Sequence, residues 1–177
     1  MQTLSYFSSV KGNEILCSIE EMINFSEKDP EIMEGKKSGF YRINCYLAFI
    51  PGMTDESRSL IYLACQNCKK KVTDNGEAYF CESCQEAQKE VTPSYIFSAK
   101  LQDYTDAIYC TFIGNENGEA LLGVSSLNYH NYRADGNTKL TGMIEQRYFT
   151  PLDILIKARL DNYQGGNGEG PKIKYYC

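Results

Sequence analysis

Four cysteines in the middle of the chain, Cys65, Cys68, Cys81 and Cys84, stand as two Cys-x-x-Cys pairs with twelve residues between them. A Cys-x-x-Cys turn brings two sulfurs close enough to occupy two corners of a tetrahedron, so two such turns close a zinc site. The run between the pairs, "KKKVTDNGEAYF", is long enough for a tight hairpin, and its Asn75-Gly76 step is a strong two-residue turn signal. The unit therefore predicts a zinc ribbon holding one structural Zn²⁺. Four thiolates fill the coordination sphere and leave no position for a catalytic water. Disulfides are the alternative for the same four residues. The opening "MQTLSYFSSVKGNE" lacks the basic start and apolar run of a secretory signal, which argues for a reducing compartment. The single histidine, His130, lies far from the cysteines in sequence and is expected at the surface rather than among the ligands.

A ribbon of this size has little core of its own and must belong to something larger. The chain has 177 residues, enough for one domain with an insertion, and 42% of them are apolar. No run approaches the roughly 18 apolar residues that a membrane span needs, so a soluble, intracellular protein is expected. Formal charge is −5, and four thiolates with one Zn²⁺ would add −2 to give −7. Such a chain has no general electrostatic attraction to nucleic acid, so a nucleic-acid site must be a local patch.

Along the chain, "ILCSIEEMINF" reads as a short helix and "SEKDPEIMEGKKSG" as a loop. "FYRINCYLAFI", Phe40 to Ile50, alternates as a half-buried strand, with Tyr41, Ile43, Cys45, Leu47 and Phe49 on one face. "LIYLA" leads into the ribbon. After it, "SYIFSAKLQDY" and "AIYCTFIG" read as a hairpin, and Cys45 and Cys110 within these apolar runs read as small core residues. "GEALLGVSSLNYHNY" and "KLTGMIEQRY" read as helices, or as one interrupted helical region. "LDILIKARLDNY" is a clean strand, and a loop, "QGGNGEGP", reverses the chain into a last strand, "KIKYYC". The expected class is mainly β with minor α: a five-stranded OB-fold barrel with an inserted zinc ribbon and short helices. Residues 1–39 are expected to be a lead-in packing on or preceding the barrel, 40–177 the OB fold, and about 60–90 the ribbon.

Taken together, "FYRINCYLAFI", "ACQNCKKKVTDNGEAYFCESC", "YIFSAKLQDYTDAIYCTFIGN", "EALLG" and "LIKARLDNYQGG" with "KIKYYC" resemble the C-terminal DNA-binding domain of the replication protein A large subunit, over roughly residues 35 to 177. The resemblance implies an OB fold with a zinc ribbon between its first two strands, binding single-stranded DNA across the barrel face. It implies Phe112 and Tyr163 as stacking platforms. Lys100, Lys157, Arg159, Lys172 and Lys174, on solvent-facing parities, are the implied phosphate contacts. Where the family commonly carries a tryptophan this chain has Ile108, and it contains no tryptophan at all. Within the family the resemblance runs most to the ciliate telomerase-associated paralogue. That implies G-rich telomeric single strands as ligand, a nuclear, chromosomal and telomeric location, and partner subunits met through a C-terminal helix beyond Cys177. The general replication subunit is the close alternative.

Two other classes compete. A partner-docking module would use the acidic surface and the ribbon, with DNA contact incidental. An enzyme finds no support: there is no Ser-His-Asp or Cys-His arrangement, no phosphate-cradling glycine loop before a helix, and no open metal site. The three-lysine run Lys69 to Lys71 is expected to be simply solvated. Tyr46, Tyr104 and Tyr109 stay open, because strand parity slips at a bulge.

Overall fold

The computed structural model describes residues 2–4, 14–52, 58–76, 78–134, 139–161 and 171–177. In chain order the elements are β1 (Gln2–Leu4), β2 (Ile15–Leu16), α1 (Ile19–Lys28), α2 (Pro30–Met33), β3 (Gly39–Phe49), β4 (Ile61–Cys65), β5 (Thr73–Asp74), β6 (Tyr79–Cys81), β7 (Glu86–Gln88), β8 (Val91–Gln102), β9 (Ala107–Ile113), α3 (Asn115–Leu122), α4 (Ser126–Ala134), α5 (Lys139–Glu145), β10 (Pro151–Asp161) and β11 (Lys172–Tyr176). They sort into two compact units. Among the described residues no helix is long and apolar enough to cross a membrane.

The first unit comprises Met1–Pro51, Ser98–Phe112 and Gln146–Cys177. Its strands close a circuit: β3 pairs with β8, β8 with β9, β9 with β11, β11 with β10, and β10 returns to β3. Counted along the chain as barrel strands one to five, the order round the ring is 1-2-3-5-4, the circuit of an OB fold. The core follows from period-two alternation. Ile43 and Leu47 of β3, Ala99 and Leu101 of β8, Cys110 and Phe112 of β9, and Ile154, Ile156 and Ala158 of β10 are all fully buried. Phe49 departs from its expected face. The β3–β8 register shifts between Leu47 and Phe49, so the bulge turns Phe49 outward, 48% exposed, and buries Ile50 instead.

The segment before β3 is more ordered than a loop reading allows. Ser18 and Glu21 form a reciprocal capping box at the start of α1, with the Glu21 carboxylate accepting the Ser18 N–H at 2.9 Å. Asp29 then caps α2, accepting from the N–H groups of Glu31 and Ile32, with Pro30 in the first turn, where its missing N–H costs nothing. The expected loop thus carries a short helix, and β2 and β1 add parallel pairings to β3 and β10.

The second unit comprises Gly52–Phe97 and Ile113–Glu145. Strand β4 runs antiparallel to the first half of β8, and β5, β6 and β7 make a separate three-stranded sheet. Tyr95 is the anchor of its helical part. Its ring meets Phe97 and Tyr129 edge-on at 5.8 and 5.7 Å, and its hydroxyl donates to the Val124 carbonyl at 3.0 Å. Gly118 of α3 lies against that ring: a Cβ there would come within 2.6 Å of it. The helical region is interrupted, as the second of the two expectations has it: Gly123, left-handed with φ 73°, ends α3 and separates it from α4.

Candidate metal centre and nucleic-acid interface

The four sulfurs of Cys65, Cys68, Cys81 and Cys84 all lie within 4.8 Å of one another. Cys65 and Cys84 approach to 3.9 Å and Cys68 and Cys81 to 3.4 Å, and none is in a disulfide. Four thiolates about 2.3 Å from a tetrahedral ion stand about 3.8 Å apart, so the cluster fits such an ion closely. It belongs to a small core of Cys65, Val72 and Cys81 with Leu63, Tyr79 and Val91 around it.

Both turns use the same backbone device. The residue after the second cysteine of each pair is left-handed without being glycine: Lys69 at φ 60° and Gln85 at φ 57°. In the first turn the Asn67 N–H points at the Cys65 sulfur at 3.4 Å. Backbone N–H groups, Cys68's foremost, hold the Cys65 thiol down to about 7. Hydrogen bonding from Cys68 and Cys81, with burial, pushes Cys84 up to about 12. Four thiols this close cannot all ionise without a cation, and a metal ion would supply one. The hairpin between the pairs turns where expected: Gly76 has φ 84° and donates to the Asp74 carboxylate at 2.8 Å.

In the first unit, the residues expected to contact a ligand divide. Phe112 is a correction: it is fully buried. Cys110 is core, and a residue two further along a strand faces the same way, so Phe112 follows it inward. The outward parity of β9 is Tyr109 and Thr111, and Tyr109 is 57% exposed. Ile108 is also buried, so the position where this chain departs from the family's tryptophan is not a surface platform here. Tyr163 lies outside the described residues.

Lys100 is on the outer face of β8 and pairs in register with Phe49 across to β3. On its other side the Asp103–Asp106 turn bond and the Ser98–Thr111 hydroxyl contact fix the β8–β9 register. Stepping two residues from Ser98 toward the turn sets Lys100 opposite Tyr109. The outer faces of β3, β8 and β9 therefore carry a row: Phe49, Lys100, Tyr109. Beside it Tyr46 tilts against the exposed ring of Phe149 at 5.7 Å.

The other four cations lie on the β10–β11 ladder. Arg159 is in register with Lys174, Asp161 with Lys172, and Lys157 with Tyr176, all on the outer parity. Lys174 is ion-paired with Asp161, which raises the lysine's pKa. The Arg159 guanidinium sits 4.8 Å from the centre of the Tyr176 ring, and Lys157 lies 6.0 Å from that of Phe40. Tyr176 in turn is in register with Thr111 of β9. The outward parities expected for Lys100, Lys157, Arg159, Lys172 and Lys174 are those of the structure. Tyr109, left open by the sequence, is exposed, and Phe49, expected to share a face with Leu47, is exposed as well. The alternation around Cys110 was the signal for Tyr109; nothing in the sequence announces the bulge that exposes Phe49.

A closed five-stranded barrel of this order, with a four-cysteine ribbon in the segment between its first two strands, defines an OB-fold domain with an inserted cysteine knuckle that could hold a metal ion. The chain belongs to the family of the replication factor-A C-terminal domain, whose family model matches residues 40–176. A replication protein A 70 kDa DNA-binding subunit of Oryza sativa subsp. japonica is 29% identical over 120 residues, 67% of this chain and 18% of that protein. The replication protein A 70 kDa DNA-binding subunit of Tetrahymena thermophila is 38% identical over 65 residues, 37% of this chain and 10% of that protein. The chain therefore spans under a fifth of the relatives' length. Among solved structures, a replication protein A heterotrimer bound to ssDNA superposes with a TM-score of 0.74 at 19% identity, covering 93% of this chain and 35% of that one. Yeast RPA bound to ssDNA gives 0.70 at 20% identity, covering 92% and 85%. These likenesses carry the fold. The relatives are DNA-binding subunits by name, which agrees with the expectation of a binding domain rather than an enzyme.

Proposed function

We propose that this chain is a single-stranded DNA-binding domain of a replication protein A-like large subunit, acting through the outer face of β3, β8 and β9. The row of Phe49, Lys100 and Tyr109 carries the proposal, because it alternates exposed rings with a cation on one side of a barrel. Bases stack on aromatic faces for about 1–3 kcal/mol each, whatever their identity, and cations track the phosphates. That local chemistry offsets an acidic chain average. Lys157, Arg159, Lys172 and Lys174 extend the phosphate path along β10 and β11, and Tyr163 is the further platform that the family resemblance implies. Cys65, Cys68, Cys81 and Cys84 hold one structural Zn²⁺. Residues 40–177 are the OB domain with its ribbon at about 60–90, and 1–39 the lead-in. The parent protein works in the nucleus with other subunits of its complex.

The finer reading is that the ligand is G-rich telomeric single-stranded DNA and that the complex is a telomerase holoenzyme at the telomere. It rests on the resemblance to the ciliate paralogue, and the 38% identity to a ciliate relative is in keeping with it. The second reading, a general replication subunit with little sequence preference, is favoured by the names of the relatives, which are replication protein A subunits. Titrating the protein against a fluorescent G-rich telomeric strand, a scrambled strand of equal length and a duplex, at two salt concentrations, separates them. Salt-sensitive binding confined to the telomeric strand supports the finer reading. Equal binding to both single strands supports the second, and no binding to any of them overturns both.

A further inference from the structure

A cleft of about 270 Å³ in the first unit is lined by Gly35, Lys36, Lys37, Lys157, Arg159 and Leu160, among others. Two of its cations come from the end of the α2–β3 connection and two from the outer face of β10. Gly35 makes this possible: left-handed at φ 70°, it ends α2 and delivers Lys36 and Lys37 to the cleft. Among the described residues no acidic side chain lines the cleft. Its volume has room for a phosphodiester group with several waters, and its lining is suited to an oxyanion.

We infer that this cleft is a second phosphate site, which takes the backbone of a single strand already held on the Phe49–Lys100–Tyr109 row; the inference rests on the single-strand-binding reading. Continuity favours a nucleic acid over a phosphoprotein. Arg159 is paired in register with Lys174 on β11, Lys157 with Tyr176, and Tyr176 with Thr111 of β9, so the cleft's cations adjoin the strands that bear the row. The rings of Tyr176 and Phe40 beside Arg159 and Lys157 are the aromatic interleaving that a strand uses and a phosphate ion does not.

The cleft is weak alone, and the reason lies in its own pairs. Lys36 reaches Glu34 at 2.5 Å, and Lys37 reaches Asp29 at 2.9 Å and Glu31 at 2.7 Å. A phosphate must compete with those carboxylates for the same ammonium groups. Surface pairs of this kind exchange readily, but the competition leaves little affinity for a free ion. A strand tethered on the barrel meets the cleft at an effective concentration of about millimolar, enough to make a weak site count. The cleft therefore acts through length, not through capture of isolated phosphate.

The test compares deoxythymidine oligomers of about 8 and 16 nucleotides, bracketing the range of OB-fold sites, on the 177-residue chain and on Lys36→Gln/Lys37→Gln. The parent chain should gain about tenfold in affinity with the longer oligomer. The double variant should keep its short-oligomer affinity, lose the gain, and lower the long-oligomer salt slope by about 1.4 for two phosphate contacts. Matching unfolding midpoints show that the variant is folded. An equal length gain in the variant overturns the inference. So does a parent chain that binds the short oligomer and gains nothing with length, including one whose cleft instead takes a phosphoserine peptide saturably. A parent chain that binds neither oligomer overturns the single-strand reading itself, and this inference with it.

Discussion

The carboxylate of Asp103, in the turn between β8 and β9, accepts the backbone N–H of Ile19 at 2.8 Å and so ties the first turn of α1 to the barrel. The same carboxylate accepts from the Thr105 hydroxyl at 2.6 Å and from the N–H groups of Thr105 and Asp106. One side chain thus builds the hairpin turn and anchors a helix that begins 84 residues earlier in the chain.

Replacing Asp103 with alanine leaves several part-buried N–H groups without an acceptor, and should cost about 3 kcal/mol in urea unfolding. Burial works to raise the Asp103 pKa, but the Thr105 hydroxyl and the Ile19, Thr105 and Asp106 N–H groups outweigh it, so the folded value lies below the usual carboxylate range. The unfolded state therefore takes up the proton first. This contribution to stability is present above the unfolded value of about 3.9 and is lost as pH falls through the folded one. Asp103→Asn should flatten that acid limb; an unchanged limb would show that the carboxylate is not the titrating group.

Cys65, Val72 and Cys81 make a small core, and the Zn²⁺ proposed for the four cysteines would be what holds the ribbon together. A strong chelator should collapse amide-exchange protection across residues 61–88, and Cys81→Ser should do the same in the presence of Zn²⁺. Binding requires thiolates, so acid should release the ion. Protection that survives chelation would contradict a metal-held ribbon.

Lys69 and Gln85 occupy left-handed positions that cost a side chain about 1 kcal/mol. Lys69→Gly and Gln85→Gly should each stabilise the ribbon by roughly 0.5–1 kcal/mol, less the entropy that glycine loses on folding. Titration against a competing chelator reads this as tighter metal binding. Weaker binding in both variants would show that the side chains, not the backbone, matter there.

Gly118 is a packing glycine. A methyl group would meet the Tyr95 ring within 2.6 Å, and that ring is fixed by Phe97, Tyr129 and the Val124 carbonyl. Gly118→Ala should cost about 1–3 kcal/mol by overpacking despite alanine's better helix propensity. A stabilised variant would mean that the ring moves freely.

The four-cysteine cluster was legible because ligand chemistry fixes both residue type and spacing, and "DNGE" marked its turn. The barrel strands were legible wherever alternation runs unbroken, as in β10, where Ile154, Ile156 and Ala158 face inward and Lys157 and Arg159 outward. Legibility failed where one backbone event resets parity. The bulge after Leu47 exposes Phe49. Legibility failed at Phe112 for another reason: β9 alternates without a break, and the inward parity of Cys110, readable in the sequence, carries Phe112 inward and leaves Tyr109 out. It failed again for Lys36 and Lys37, whose place beside Lys157 and Arg159 depends on a pairing between distant strands.

Affinity for single-stranded DNA, measured on Tyr109→Ala beside Phe112→Ala, tests the assignment of the binding face most directly. Tyr109→Ala should keep the parent's unfolding midpoint and lose about 5- to 150-fold in affinity, the worth of one stacked base. Phe112→Ala should instead lose about 3–5 kcal/mol of stability as a core residue. Full affinity in Tyr109→Ala, with a stable Phe112→Ala that no longer binds, would contradict the face proposed for β3, β8 and β9.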